Sequence, residues 1–183
     1  MRSSVPSGFI IFSNFVFYVA ILIGAGLHIV LDKHKDARTP RRIVELVLLY
    51  VLVIGVGLQS LYAFMGHVFF ADETARQIGW PAGNPFQFEV AIANLAIGVL
   101  GILCVWIRGT FWYATGIVYA IWILGDFYGH VYQAVVHGNY APANLGLFIY
   151  CVVVFAFIVL GLLVAYHILN QRTQARSAES FPV

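Results

Sequence analysis

Charge is what this sequence lacks. Only 10% of its 183 residues are Asp, Glu, Lys or Arg, against about 25% in soluble domains, and that deficit excludes an ordinary soluble globular protein. Cysteine is nearly absent too. The two present, Cys104 and Cys151, fall inside apolar runs, where a thiol behaves as a small buried hydrophobe, so no disulfide framework is expected. No Walker motif, GxSxG elbow, dinucleotide fingerprint or HExxH occurs, which argues against nucleotide-driven pumps and the common hydrolases. The apolar runs contain no arginine series of a voltage sensor, and no obvious inverted repeat marks a secondary transporter.

What remains is hydrocarbon: 61% of the residues are hydrophobic and the mean hydropathy is +0.87. A helix needs roughly 20 apolar residues to cross a bilayer. Five stretches qualify, at about 8–32, 43–70, 86–107, 110–137 and 142–169. Backbone groups in lipid must be satisfied within the chain, so every span is expected to be a helix. The expected fold is an all-α, integral membrane bundle of five transmembrane helices, forming a single transmembrane domain over residues 1–183.

The first run is too long for the ~7–15-residue core of a secretory signal, and its flanking charge lies on the wrong side. Arg2 precedes it, while Lys33, Lys35, Arg38, Arg41 and Arg42 follow. Basic residues near span ends resist translocation. An N-out, C-in path keeps that cluster inside with Arg108, Arg172 and Arg176, and leaves Arg2 and Arg76 outside. The expected location is the inner (cytoplasmic) cell membrane, multi-pass, with the lipid bilayer as first partner. The formal net charge of +2 reports topology, and no nucleic acid is expected as a partner. Short tails and aromatic richness also suit lodging in a larger membrane complex or a homo-oligomer.

Spans 3, 4 and 5 are joined by the short links Arg108-Gly109-Thr110 and Gly138 to Ala141, which predicts a tight up-down-up unit. Small residues let helices approach in lipid. Candidates are Ala93, Gly98 and Gly101 on span 3 and Gly116, Ala120, Gly125 and Gly129 on span 4. Trp80, Phe86, Phe88, Phe111, Trp112 and Tyr113 lie at span ends, where rings anchor at the headgroups. One polar island interrupts this pattern, ADETARQIGWPAGNPFQFE at 71–89. Asp72 suits an N-cap and Gly79 a terminator, which predicts a short interfacial helix in the outer loop 71–85. Asn84, Pro85 and Gln87 suit the capped start of span 3, delivering Glu89 into its first turns.

These residues also carry a resemblance. The run from His67 through IGWPAGNPFQFE to Glu89, then Ala93-Asn94-Leu95 with Gly98 and Gly101, Gly125-Asp126, Gly129-His130, and Gly138-Asn139 with Ala141-Pro142-Ala143-Asn144, resembles an uncharacterised family of small prokaryotic multi-span membrane proteins, a domain of unknown function. The likeness covers roughly residues 60–150. It implies a shared fold and topology and carries over no activity, substrate or catalytic residue.

Ionisable groups inside a membrane are costly, and each is a functional candidate. In the N-out arrangement His67, Glu89, Asn94, Asp126, His130, Gln133, His137 and Asn144 all fall in the outer half, with Asn14 and the deeper Gln59 nearby. On span 4, Asp126, His130, Gln133 and His137 are spaced i, i+4, i+7 and i+11, one helical face. The pocket candidates are therefore Glu89, Asn94, Asp126, His130, Gln133 and His137. Three uses compete. A hydrogen-bonded network could fix helix register. A carboxylate–imidazole pair could accept protons for ion-coupled transport. His67, Glu89, Asp126 and His130 offer a mixed oxygen and nitrogen shell for a transition metal in a membrane oxidoreductase, although the paired Glu-x-x-His bundle signature is absent. For haem, which needs two histidines at matched depth, His28 and His167 are the pair near the inner ends of spans 1 and 5, and His67 and His130 a less well matched pair on the outer side. Glu45 is expected to pair with a neighbouring arginine at the inner headgroup level.

Overall fold

The structure is a computed structural model describing residues 7–34 and 38–179. Arg2 and Lys35 lie outside the described residues, as does the side chain of Asn14. Among the described residues the chain is helical with no strand. Helix α1 is Ser7–Leu31. Helix α2, Pro40–Tyr50, starts from Thr39, whose side chain accepts the Arg42 amide, with Pro40 in its first turn. It continues without a break through a π-helical segment, Val51–Leu58, into α3, Gln59–Phe69. The short α4, Ala71–Ile78, comes next, then α5, Phe86–Leu103, α6, Thr110–His137, the single turn α7, Pro142–Leu145, and α8, Leu147–Glu179.

Among the described residues three stretches are long and apolar enough to cross a membrane: Pro40–Phe69, Phe86–Leu103 and Pro142–Arg176. The expected count was five. The first and fourth runs are helices at the anticipated places but miss that standard. Within α1 the stretch whose side chains are described is Phe15–Leu31, an apolar helix that is shorter than a full span over those residues. Helix α6 has the length, 28 residues, but Asp126, its two histidines, Gln133 and many tyrosines and tryptophans dilute its hydropathy. The outer surfaces of both are nevertheless apolar, with Leu22, Ile121 and Val135 strongly exposed.

Of the expected unit of spans 3, 4 and 5, the last two pack together and span 3 packs elsewhere. Helix α5 lies chiefly along α3 and the π segment, and α6 along α8, with much less between α5 and α6. Short links make neighbours antiparallel, but close packing goes where backbones can touch. A Cβ on Gly101 would run into the backbone of Gly57, and one on Gly98 into Leu61. Gly116 gives α6 its seat under Val159 and Leu163 of α8. Gly125 and Gly129, expected to pack, face open space instead. The shared core runs through Leu48, Leu52, Val56, Tyr119, Phe155 and Val159. Trp112 belongs to this core rather than to an aromatic belt: it is fully buried, and its indole N–H donates to the Cys104 carbonyl at 3.0 Å.

At the end of the bundle away from α4, an ionic clasp ties three segments together. Arg42 Nε meets Asp32 Oδ2 at 2.8 Å, Arg42 Nη1 meets Glu45 Oε2 at 3.2 Å, and Arg108 Nη1 meets Glu45 Oε1 at 2.9 Å. Glu45 thus pairs as expected, with two arginines. The hydrogen bond from Arg42, followed by that from the His34 amide, holds the Asp32 carboxyl below its usual range. A lowered folded pKa contributes stability above the ordinary carboxylate pKa of about 3.9 that fades as the pH falls through the lower folded value. Thermal melts should therefore weaken below about pH 4, and Asp32→Asn should make that acid loss shallower. An acid profile identical in wild type and variant would remove Asp32 from the clasp.

Candidate functional site

At the opposite end, the inner faces of α3, α5, α6 and α8 do not close on one another. They leave a cavity of about 370 Å³ roofed by α4, within the usual size of small-molecule sites, about 300–1,000 Å³. The π segment matters here. Its wider turn shifts the helical register of the residues after it, and Gln59, Ser60, Ala63 and His67 come to line the cavity.

Asp126 and His130, one turn apart on α6, form the polar floor, with His130 Nε2 3.3 Å from Asp126 Oδ2. His130 is held on its other side by Asn144 of α7. The Asn144 amide nitrogen donates to the carbonyls of His130 (3.1 Å) and Asn139 (2.6 Å), so its Oδ1 is the atom facing His130 Nδ1 at 2.7 Å. An acceptor there requires a proton on Nδ1. The face that His130 turns to Asp126 is therefore Nε2, bare when the ring is neutral and protonated when it is cationic.

The roof is fastened by hydrogen bonds. Thr74 Oγ1 donates to the Gly66 carbonyl at 3.1 Å, which ties α4 to α3. Asn139 Nδ2 donates to the Ile78 carbonyl at 2.9 Å. Gly79 ends α4 in the left-handed region at φ 81°, packed so tightly on Asn139 that a side chain would collide. A continuous relay of amides thus runs from the end of the roof through Asn139 and Asn144 to His130. Asp72 is not the N-cap expected of it. Helix α4 starts from Phe70 without a side-chain cap, and Asp72 Oδ1 instead accepts the Gly83 amide at 2.9 Å, pinning the adjoining loop. On the roof's cavity side, Glu73 pairs with Arg76 at 2.8 Å and accepts from Gln77 at 3.1 Å.

Of the six pocket candidates, Asn94, Asp126 and His130 line the cavity. Asn94 is buried and donates to the Val90 carbonyl at 2.9 Å. Glu89 is exposed because the buried stripe of α5 runs through Gln87, Val90, Ala91, Asn94, Gly98 and Gly101. At 3.6 residues per turn Glu89 sits about 140° from Asn94. The expected convergence of Glu89 with Asp126 and His130 therefore does not occur. Gln133 is half-buried and outside the cavity lining, and its carbonyl accepts the Asn139 amide. His137, the last residue of α6, emerges past the packing and is exposed, edge-on to Tyr132.

Among the described residues no three His, Cys, Asp or Glu side chains are placed to hold a metal ion. The proposed shell of His67, Glu89, Asp126 and His130 is thus not assembled, since Glu89 points away and His67 is taken up by Gln87 at 2.6 Å. Of the two histidines considered for haem, His28 packs edge-on against Tyr50 and His167 against Tyr113.

Compared with known families, residues 11–172 match DUF6790, a family of unknown function. The chain belongs to this family. No curated protein and no solved structure matches it. The DUF6790 match takes in the whole cavity lining, which runs from Gln59 to Val152, so the pocket lies in the portion of the chain that the family shares. Sequence reasoning missed several of its parts. Gln87, read as a helix cap, is buried against His67. Glu73, Thr74 and Gln77, expected only as part of the short interfacial helix, face the cavity. The signal for the last was available: Thr74, Gln77 and Ile78 are spaced i, i+3 and i+4, one side of a short amphipathic helix.

Proposed function

We propose that this chain is a five-span protein of the inner cell membrane, folded as one transmembrane domain with its N-terminus outside, and that the roofed cavity binds a small molecule at the outer face. The spanning role of α1 and α6 is supported by their lengths of 25 and 28 residues and their exposed apolar surfaces, which monomeric soluble proteins do not carry in such extent. The orientation is supported by the distribution of basic residues: Arg38, Arg41, Arg42 and Arg108 gather at the end away from the cavity, the end that the positive-inside tendency keeps in the cytoplasm.

The observation that carries the binding role is the cavity itself. It is mostly apolar, contains the Asp126–His130 pair in contact at 3.3 Å, and is roofed by a separately fastened helix. A purely structural network would be expected to fill its own space, because interiors are close-packed. The test is to fill that space. Ala63→Trp places an indole in the cavity from α3. Extraction and mass spectrometry of the detergent-purified protein should recover about one small molecule per chain from wild type and much less from the variant, whose melting is otherwise kept. Equal recovery from both would sink the proposal.

A further inference from the structure

Resting on the pocket reading above, we infer that the cavity takes a lipophilic organic cation, a quaternary or protonated amine on an aromatic or alkyl body, and takes it in exchange for a proton shared by His130 and Asp126. The first support is charge. Among the described residues, the lining includes two carboxylates, Glu73 and Asp126, and no lysine or arginine. Glu73 already has its cation in Arg76. The Asp126 side chain is 38% exposed and has His130 as its ion-pair partner.

The second support is the protonation that Asn144 imposes. With Nδ1 committed to Asn144 Oδ1, one further proton, on Nε2, decides whether the floor is neutral or carries a net negative charge. A carboxylate in so apolar a site needs a compensating charge. Protonated His130 supplies one, and a ligand cation supplies the other. The third support is the wall. Tyr62, Phe70, Trp80, Tyr119, Trp122 and Phe148 all border the cavity, and aromatic faces attract cations, quaternary ammonium groups above all.

The exchange balances without any covalent step. The cation enters beside the Asp126 carboxylate, the Nε2 proton of His130 leaves to water, and the net charge of the site is unchanged. The other titratable groups facing the pair are Tyr62 and His67 from α3, Glu73 from α4 and Tyr119 from α6 itself; α5, α7 and α8 contribute none to the lining. Pairing with Arg76 keeps Glu73 ionised by holding its carboxyl below the usual range.

Two probes of nearly equal shape decide the matter: benzyltrimethylammonium, a permanent cation, and its neutral isostere neopentylbenzene. Binding to the detergent-solubilised full chain would be followed by equilibrium dialysis between pH 5 and pH 8, with Ala63→Trp as background. The cation should bind, its affinity rising about tenfold per pH unit on the acid side and levelling once His130 has lost its proton, since linkage of one proton to one cation is reciprocal. Asp126→Asn should weaken the cation at least tenfold and leave the neutral probe unaffected. His130→Gln should bind the cation with no slope. Equal binding of the two probes, an unchanged cation affinity in Asp126→Asn, or a slope that survives His130→Gln would overturn the inference and leave the small-molecule reading standing. Failure of both probes to bind wild type above the Ala63→Trp background would overturn both.

Discussion

Gly101→Ala should lower the unfolding free energy by about 2–3 kcal/mol, although it adds a single methyl group. In an exposed helix the same change would stabilise by nearly 1 kcal/mol. The sign reverses because the space a Cβ needs is occupied by backbone, the Gly57 amide and Cα and the Leu52 carbonyl, and backbone cannot step aside as a flexible side chain can. Where α5 crosses the π segment, two glycines of different helices lie against each other, the close approach that holds helices together in lipid. Forcing them apart would loosen the contact of α5 with α3 and, through it, the wall that supplies Asn94 to the cavity. Melts of the purified protein should show a drop of roughly 5–10 °C for a chain of this size. Gly129→Ala is the matched control: nothing lies within 4 Å of its would-be Cβ, and its melting point should hold or rise slightly. Equal behaviour of the two variants would contradict the crossing.

The second large effect is expected at Asn144. Its side chain is completely buried and makes three hydrogen bonds, to His130 Nδ1, the His130 carbonyl and the Asn139 carbonyl. Asn144→Leu keeps nearly the same volume and removes all three. A buried polar group left without a partner costs about 1–3 kcal/mol, and here the imidazole N–H and the Asn139 carbonyl both lose theirs, so a loss of about 3 kcal/mol is expected. The substitution also frees His130 to turn and breaks the relay to Asn139 and Ile78. Limited proteolysis should then cut more readily in the loop at residues 79–85 than in wild type. A variant that melts within about 1 kcal/mol of wild type, with an unchanged cleavage pattern, would show that Asn144 does not organise the site.

Much of the fold was legible in the sequence, and for definite reasons. The helices at 7–31, 40–69, 86–103, 110–137 and 147–179 arise from apolar runs bounded by Gly, Pro and charge, because a helix satisfies its backbone hydrogen bonds within its own segment wherever apolar side chains exclude water. The end of α4 at Gly79 came from glycine's freedom at positive φ. Asp126 and His130 were placed on one inward face by a spacing of four residues, and so they are. Glu89 shows the limit of reading by depth alone: its level along the helix was anticipated, but its direction was not weighed against the stripe of Asn94, Gly98 and Gly101 on the same helix.

Partnership between helices is another matter. Chain order and short links suggested that α5, α6 and α8 would pack as neighbours; Gly116 does seat α6 on α8, but the Gly57–Gly101 crossing draws α5 to the π segment instead. Whether two glycines meet depends on the three-dimensional course of both helices, including a π segment that no local pattern announced. The same holds for the hydrogen bonds that make the site. Asn144 and His130 are 14 residues apart, His67 and Gln87 are 20, and Asn139 and the Ile78 carbonyl are 61. Composition and periodicity determined that the chain is helical, apolar outside and polar at a few inward points, since these properties come from the solvent and from 3.6 residues per turn. The pairing of those points around a roofed cavity arose from packing, where a difference of two positions on one helix leaves Glu89 turned outward and Gln87 buried against His67.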